Sequence, residues 1–328
     1  MLDSILESLH VISLPTKTNF RSVTSREVAL FEGPAGWAEF SPFLEYDAKE
    51  CVPWLVSAVE SATQSAPEPV RTSIPVNATL PAVNGSERIA EILSWYPGCS
   101  SIKIKIGGNL EADLKRISDV RTLSPNASIR IDVNGSWTID QARVALQSIC
   151  QGGPIQYVEQ PCSTIEELRE LKKLLNGEVL IAGDEILRKA HDPLSVDLRD
   201  AVDIVMLKVA PLGGISRSLE IAKKHGLPVV VSSALESAIG LSYGLKLAAS
   251  LPELPYACGL ATGKLLGSDV AELALMGGFI EVTSPTPAPD ALINHRVSDE
   301  KLSWWRERIR STWVEGAQDW ASAEGWVW

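Results

Sequence analysis

Short runs dominated by valine, isoleucine and leucine recur along most of the chain, separated by longer stretches in which apolar residues fall three and four apart. The runs lie at 74–82, 101–107, 128–134, 155–161, 179–185, 203–209, 228–234 and 256–263. The stretch 164–175, TIEELRELKKLL, shows the intervening type: leucines at helical spacing behind Ser163 or Thr164, either of which can cap a helix. Short apolar strands alternating with helices pair in parallel, because a parallel neighbour is reached only through a long crossover. Eight strand-helix units predict a closed β/α barrel. An open doubly wound sheet fits less well, since no Gly-x-Gly-x-x-Gly turn follows the first run.

The first seventy residues follow another pattern. Alternating runs at 8–16 and 25–32, a Gly33-Pro34-Ala35-Gly36 turn, a third run at 37–43 and an amphipathic segment at 47–63 predict a small antiparallel meander with a helix. After residue 283 the chain is proline-rich and then helical around 299–313. Six tryptophans (Trp304, Trp305, Trp313, Trp320, Trp326 and Trp328) mark a tail that docks rather than dangles. The expected organisation is an α+β unit at 1–73, a barrel at 74–282 and a tail at 283–328 that packs back on the first unit.

Composition narrows the function classes. The 328 residues, 45% of them hydrophobic, suffice for one large core and an appendage. Lysine and arginine total 30 against 41 acidic residues, a formal net charge of −11, and no basic stretch tracks a phosphate backbone, so nucleic acid is not expected as a partner. Asp3, Glu7, His10 and Lys17 interrupt any secretory core near the N-terminus, and no later apolar run reaches membrane-span length. A cytoplasmic location, no membrane insertion and no obligatory protein partner are the expectations. The five cysteines, Cys51, Cys99, Cys150, Cys162 and Cys258, are scattered and read as structural thiols. Four Asn-x-Ser/Thr triplets, at Asn77, Asn84, Asn126 and Asn134, are chance matches without export.

Charges inside barrel strands are the informative anomaly, because such positions normally hold Val, Ile or Leu. Lys103 and Lys105, Asp132 and Asn134, Glu159, Asp184 and Glu185, and Lys208 fall near the C-terminal ends of consecutive strands, the rim where barrel active sites are built. Lys105, Asp132, Glu159, Asp184 and Lys208 follow one another at about one β-α unit each, so three acids should converge on one point with a lysine on either side. Three close carboxylates repel unless a hard cation lies between them, and oxygen ligands suit Mg²⁺. The competing reading is an interior ion-pair network with Arg130 and Lys103 as partners. A cation on a substrate carboxylate and a lysine of lowered pKa together can remove a proton α to that carboxylate.

The set Lys103-Ile-Lys105, Asp132-Val-Asn134, Glu159-Gln-Pro161, Asp184-Glu185 and Lys208 resembles the enolase superfamily, in its muconate-lactonizing subgroup. The Gly36-Trp37-Ala38-Glu39 segment resembles that family's capping domain. The resemblance implies a TIM-like (β/α)7β barrel with an α+β cap built from the N-terminal segment and the C-terminal tail. It implies Asp132, Glu159 and Asp184 as ligands of Mg²⁺, with Mn²⁺ as an alternative, Lys105 as the base and Lys208 as the stabiliser of the enediolate from the other face. Glu185 points away in an ideal strand. Lys103, Asn134, Ser232, Gly259 and Arg21 are the expected substrate-binding residues, Ser232 and Gly259 at the succinyl end of a small carboxylate substrate. Ser232-Ser-Ala-Leu-Glu-Ser237 and Gly259-Leu-Ala-Thr-Gly263, with the compact length and the Gly36-to-Tyr46 segment, most resemble the dehydrating members of that subgroup, and the resemblance implies syn dehydration of a succinyl-bearing cyclohexadiene carboxylate. Racemisation of N-acylamino acids or epimerisation of dipeptides on the same residues is the alternative, and Pro211, where racemising relatives often carry arginine, favours dehydration.

Two further motifs fall away. Gly259-Leu-Ala-Thr-Gly263-Lys264 has one residue too few between its glycines for a phosphate loop and Leu265 where Ser or Thr should stand. None of the four histidines lies on the strand rims, which leaves serine-histidine hydrolysis unsupported. A non-catalytic barrel is opposed by the complete set of acids and lysines.

Overall fold

A computed structural model describes residues 1–20 and 23–328. The chain begins with a short helix, Leu2–Glu7, and a three-stranded antiparallel meander of β1 (His10–Phe20), β2 (Val23–Gly33) and β3 (Gly36–Phe40). Gly33 and Gly36 face each other across the second turn, where Gly36 takes a φ of +125° that a side chain opposes. The helix Ala48–Thr63 starts from a capping box, Asp47 accepting from the Glu50 N–H and Glu50 from the Asp47 N–H. It turns Trp54, Leu55 and Val59 into a core shared with Phe31 and Phe40. The late helix Asp299–Thr312 completes this core: Trp305 is fully buried, edge-on to Phe40, and its indole N–H donates to Glu27 at 2.8 Å. Arg308 from the same helix donates to the carbonyls of Phe43 and Tyr46 at 2.7 and 3.0 Å.

The next strands are β4 (Ser73–Pro75), β5 (Ala78–Leu80), β6 (Ser101–Lys105), β7 (Ser128–Asp132), β8 (Tyr157–Glu159), β9 (Ile181–Gly183), β10 (Ile204–Leu207) and β11 (Val229–Val231). Strands β5 to β11 form one curled seven-stranded sheet in sequence order, every neighbour parallel, with helices between successive strands. The run 74–82 is therefore two strands rather than one. β4 leaves the parallel sheet and joins β12 (Leu275–Met276) and β13 (Phe279–Glu281) in a small antiparallel sheet. Fully buried Asn77 lies at the split. The eighth run also differs from expectation: 256–263 makes only single parallel bridges, Cys258 with Val76 and Gly259 with Ser232, before a 3₁₀ turn at Thr262–Leu265. A segment that bends within three residues cannot extend a ladder.

Alternation along the strands divides the sheet's two faces. Ile102 and Ile104, Ile129 and Ile131, Val158, Ile181, Val205 and Leu207 join the large core beneath the helices. The opposite, inner face holds Tyr157, Ala182, Ile204, Met206 and Val230 as a separate small cluster. Arg130 lies against this cluster, its guanidinium 5.0 Å from the Tyr157 ring, and donates to Gln156, Asn77 and the Ala257 carbonyl. It thus serves neutral acceptors, not the acids. All five cysteines are unpaired thiols. No helix among the described residues is long and apolar enough to cross a membrane.

Candidate active site

Parallel register brings the first three charged positions level: Lys105 pairs with Asp132, and Asp132 with Glu159, on β6, β7 and β8. Glu159 is level with Ala182, so Asp184 sits two residues further along, and Ile204 is level with Ala182, so Lys208 sits further again. Tilted strands produce such a stagger, and the side chains still face one space because each step is even. Asp132, Glu159 and Asp184 are all buried to 1% exposure or less, whereas the Lys105 side chain keeps 15%. Of the charges at the site, Lys105 is thus one that substrate can reach.

The side chains do not meet at a single point. Each acid turns to a lysine: Lys105 Nζ lies 2.5 Å from Asp132 Oδ2, Lys103 Nζ 2.9 Å from Glu159 Oε2, and Lys208 Nζ 2.5 Å from Asp184 Oδ2. Lys103 also approaches Asp132 at 3.6 Å. Like charges separate, and each finds the nearest ammonium. Among the described residues no group of three His, Cys, Asp or Glu side chains forms a ready cluster for a metal. The oxygens left over nevertheless suit a cation: Glu159 Oε1, Asp184 Oδ1 and Glu185 Oε2 are buried without a hydrogen-bond partner. Leaving such acceptors unsatisfied costs about 1–3 kcal/mol each, more when charged. An all-oxygen donor set of this kind fits a hard divalent cation.

Electrostatics separates the two lysines of β6. Burial pushes the Lys105 ammonium below the ordinary lysine range; Asp132 opposes this and Lys103 adds to it. Lys103 moves the other way, because Glu159 and Asp132 outweigh burial and hold it charged. Burial and the Asp132 charge push Glu159 up to about 7 against the pull of Lys103 and Lys208. Asp132 and Asp184 resist burial and stay below the usual carboxylate range, the first through Lys105 and Lys103, the second through Lys208 and Arg188.

A narrow cavity of about 20 Å³ opens above these groups, lined by Lys103, Lys105, Asp132, Lys208, Ser232 and Gly259. Asn134 lies beside it, accepting from Lys105 at 2.9 Å through Oδ1. Arg21 lies outside the described residues. Sequence reasoning missed Phe20, Thr79 and Thr262, which also line the cavity. The Phe20 ring centroid is 5.6 Å from Lys105 Nζ. Thr79, a polar residue in an apolar run, was a readable signal; Phe20 was not, because only folding brings β1 over the rim. Gln160 has a role its spacing did not reveal: its Oε1 accepts from the Asp184 N–H at 2.9 Å and holds that backbone in place. Glu185 departs from the strand expectation. The strand ends at Gly183 and the chain turns into the short helix Glu185–Arg188, so Glu185 Oε1 reaches Asn134 Nδ2 at 3.1 Å.

Gly259 forms the wall opposite the acids. A Cβ there would meet Ser232 Oγ at 2.6 Å and Ser232 Cβ at 3.3 Å. Gly259→Ala is expected to cost about 1–3 kcal/mol by overpacking, measured as a lower thermal unfolding midpoint. An unchanged midpoint means that Ser232 turns aside freely.

Comparison with known proteins follows the same lines. Residues 88–286 match the family described as Enolase C-terminal domain-like, and residues 11–62 match Enolase N-terminal domain-like. The o-succinylbenzoate synthase of Mycobacterium tuberculosis is 46% identical over 315 residues, 94% of this chain and 95% of that protein. Among solved structures, muconate lactonizing enzyme from Pseudomonas putida superposes with a TM-score of 0.72 at 22% identity, covering 88% of this chain and 98% of that one. N-succinyl Arg/Lys racemase from Bacillus cereus superposes with a TM-score of 0.71 at 19% identity, covering 88% and 97%. Identities this low speak for a shared fold alone.

Proposed function

The chain belongs to the enolase superfamily, and from that premise we infer that it is a hydro-lyase with o-succinylbenzoate synthase activity. The reaction is syn dehydration of 2-succinyl-6-hydroxy-2,4-cyclohexadiene-1-carboxylate. One observation carries the reading: lysines on two flanks, Lys105 and Lys208, each within 2.5 Å of its own aspartate, with Glu159 on the strand between those aspartates. Mycobacterial relatives named for this activity at 45–46% identity over 94% of the chain support it.

The chemistry proceeds from these residues. Lys105, its pKa lowered by burial, takes the ring proton α to the carboxylate, and the electron pair moves onto the carboxylate as an enediolate. The ring hydroxyl then leaves, taking the proton from Lys105 on the same face, so that water departs and the ring becomes aromatic. Lys208 faces the developing negative charge from the other flank, and Lys103, held charged, adds to the field. Asp132, Glu159 and Asp184 would hold a divalent cation, Mg²⁺ with Mn²⁺ as an alternative, which when bound would supply further positive charge to stabilise the enediolate. Lys103, Lys105, Lys208 and Arg188 balance Asp132, Glu159, Asp184 and Glu185. Ser232 and Gly259 line the succinyl end, Asn134 holds Lys105, and Arg21 is the further residue expected to bind substrate. The product serves menaquinone biosynthesis.

The finer architecture is a (β/α)7β barrel at 74–282, supported by the bridges of Cys258 and Gly259 to Val76 and Ser232 on either side of the seven strands. The cap consists of residues 1–73 with the tail 283–328, supported by the core around Trp305.

Racemisation of N-acylamino acids uses the same two lysines, and Lys208 is placed to attempt it. It needs Lys208 to return a proton from the opposite face, where a 1 Å misplacement can cost about 10²-fold. Pro211, buried in the turn after Lys208, offers no charge to position it. Incubated with Mg²⁺, the chain is expected to convert the cyclohexadiene to the aromatic acid and to leave N-succinyl-phenylalanine enantiomers unchanged in D₂O. Deuterium uptake with racemisation at a kcat/KM equal to that of dehydration overturns the assignment.

A further inference from the structure

Arg188 stands outside the set of acids and lysines, yet hydrogen bonds run through it from one lysine to the other. Lys105 Nζ donates to Asn134 Oδ1 at 2.9 Å, and Asn134 Nδ2 to Glu185 Oε1 at 3.1 Å. An Arg188 terminal nitrogen donates to the same Glu185 oxygen at 2.6 Å, while Arg188 Nε donates to Asp184 Oδ2 at 3.3 Å. Lys208 Nζ closes the path on that Asp184 oxygen at 2.5 Å. The guanidinium is buried, with 7% of its side chain exposed, and its remaining terminal nitrogen lies 3.5 Å from the Tyr46 hydroxyl. Tyr46 belongs to the 43–46 segment whose carbonyls receive Arg308. One planar fork thus grips both carboxylates of the rim turn and a side chain of the N-terminal unit.

Given the dehydration reading above, on which this rests, we propose that Arg188 is a positioning residue. It sets Lys105 through Glu185 and Asn134, and Lys208 through Asp184, so that one guanidinium fixes the two lysines relative to each other. A buried ion pair that served the fold alone would need neither Asn134 nor a shared oxygen with Lys208. The proposal needs the fork geometry as well as the charge, since a lysine ammonium is a point donor and cannot span both carboxylates in one plane.

The full chain, saturated with Mg²⁺, tests this by steady-state dehydration kinetics. Arg188→Gln is expected to lower kcat by about 10²-fold, the scale of a 1 Å misplacement, while KM changes by less than about threefold. Arg188→Lys should recover part of that loss. The double variant of Arg188→Gln with Asn134→Ala should lose less than the product of the single losses, because the two sites share a path. In crystals of Arg188→Gln, the Lys105 ammonium should leave Asn134. Should Arg188→Gln fail to fold, Glu185→Ala breaks the same path and leaves Arg188 on Asp184. A kcat within twofold of the parent, losses that multiply, or an unmoved Lys105 overturns the proposal. A parent chain without dehydration activity overturns the functional reading instead, and the crystallographic comparison still decides the role of Arg188.

Discussion

Replacing Lys105 by alanine lowers dehydration turnover by about 10²–10⁴-fold, the usual range for loss of a positioned general base. The expectation rests on what distinguishes this ammonium from its neighbours. It is the partly exposed one at the cavity, and burial with the adjacent Lys103 lowers its pKa, so that a neutral amine is within reach. Lys103, two residues away on the same face, is held charged by Glu159 and Asp132 and cannot take a proton. Lys208→Ala is expected to cost less, on the order of 10²–10³-fold, because it removes charge stabilisation rather than the proton acceptor. Steady-state kcat of the purified variants checks the ranking. A Lys105→Ala enzyme within tenfold of the parent places the base elsewhere.

Exhaustive chelation is expected to reduce turnover to background, with Mg²⁺ or Mn²⁺ restoring it. Buried Glu159 Oε1 and Asp184 Oδ1 have no donor, and a pair of buried acceptors without partners is costly to keep for its own sake. The contribution at stake is several kcal/mol of charge stabilisation. Glu159→Gln should weaken Mg²⁺ binding, seen directly by titration calorimetry, while the thermal midpoint of the metal-free chain holds or rises. The rise is possible because Glu159 is already pushed up to about 7 by burial and Asp132, so its charge is a burden when no cation offsets it. Full activity after chelation, or calorimetric affinity unchanged in Glu159→Gln, contradicts the ligand assignment.

Much of this was legible along the chain because the inner face of a parallel sheet is apolar by default. Lys103, Lys105, Asp132 and Glu159 stood out against that background, and their even spacing carried over into register. A cap at Ser163 or Thr164 was legible as well, and the structure puts it at Thr164. The rest depended on where strands stop. The run at 74–82 reads as one strand, but its first residues pair with β13, more than two hundred positions away, and its last with β6. A continuous strand through 185 points Glu185 outward, but Gly183 ends β9 and the turn brings both carboxylates to one side. Phe20 reaches the cavity through tertiary packing, which no local pattern encodes.

The core around Trp305 has a consequence for how the chain is made. Its indole bonds Glu27 across 278 positions, and the helix Asp299–Thr312 supplies Trp305 and Ile309 to a core whose other members, Phe31, Phe40 and Trp54, are synthesised long before it. Domains that emerge early usually fold while the ribosome is still elongating. Here the meander packs early on the helix Ala48–Thr63, yet the side of their core that Trp305 and Ile309 fill stays open through the translation of every β/α unit. At about 5–20 residues per second, the wait is tens of seconds. That side of the core is left to water or to provisional contacts until the helix Asp299–Thr312 follows and seals it.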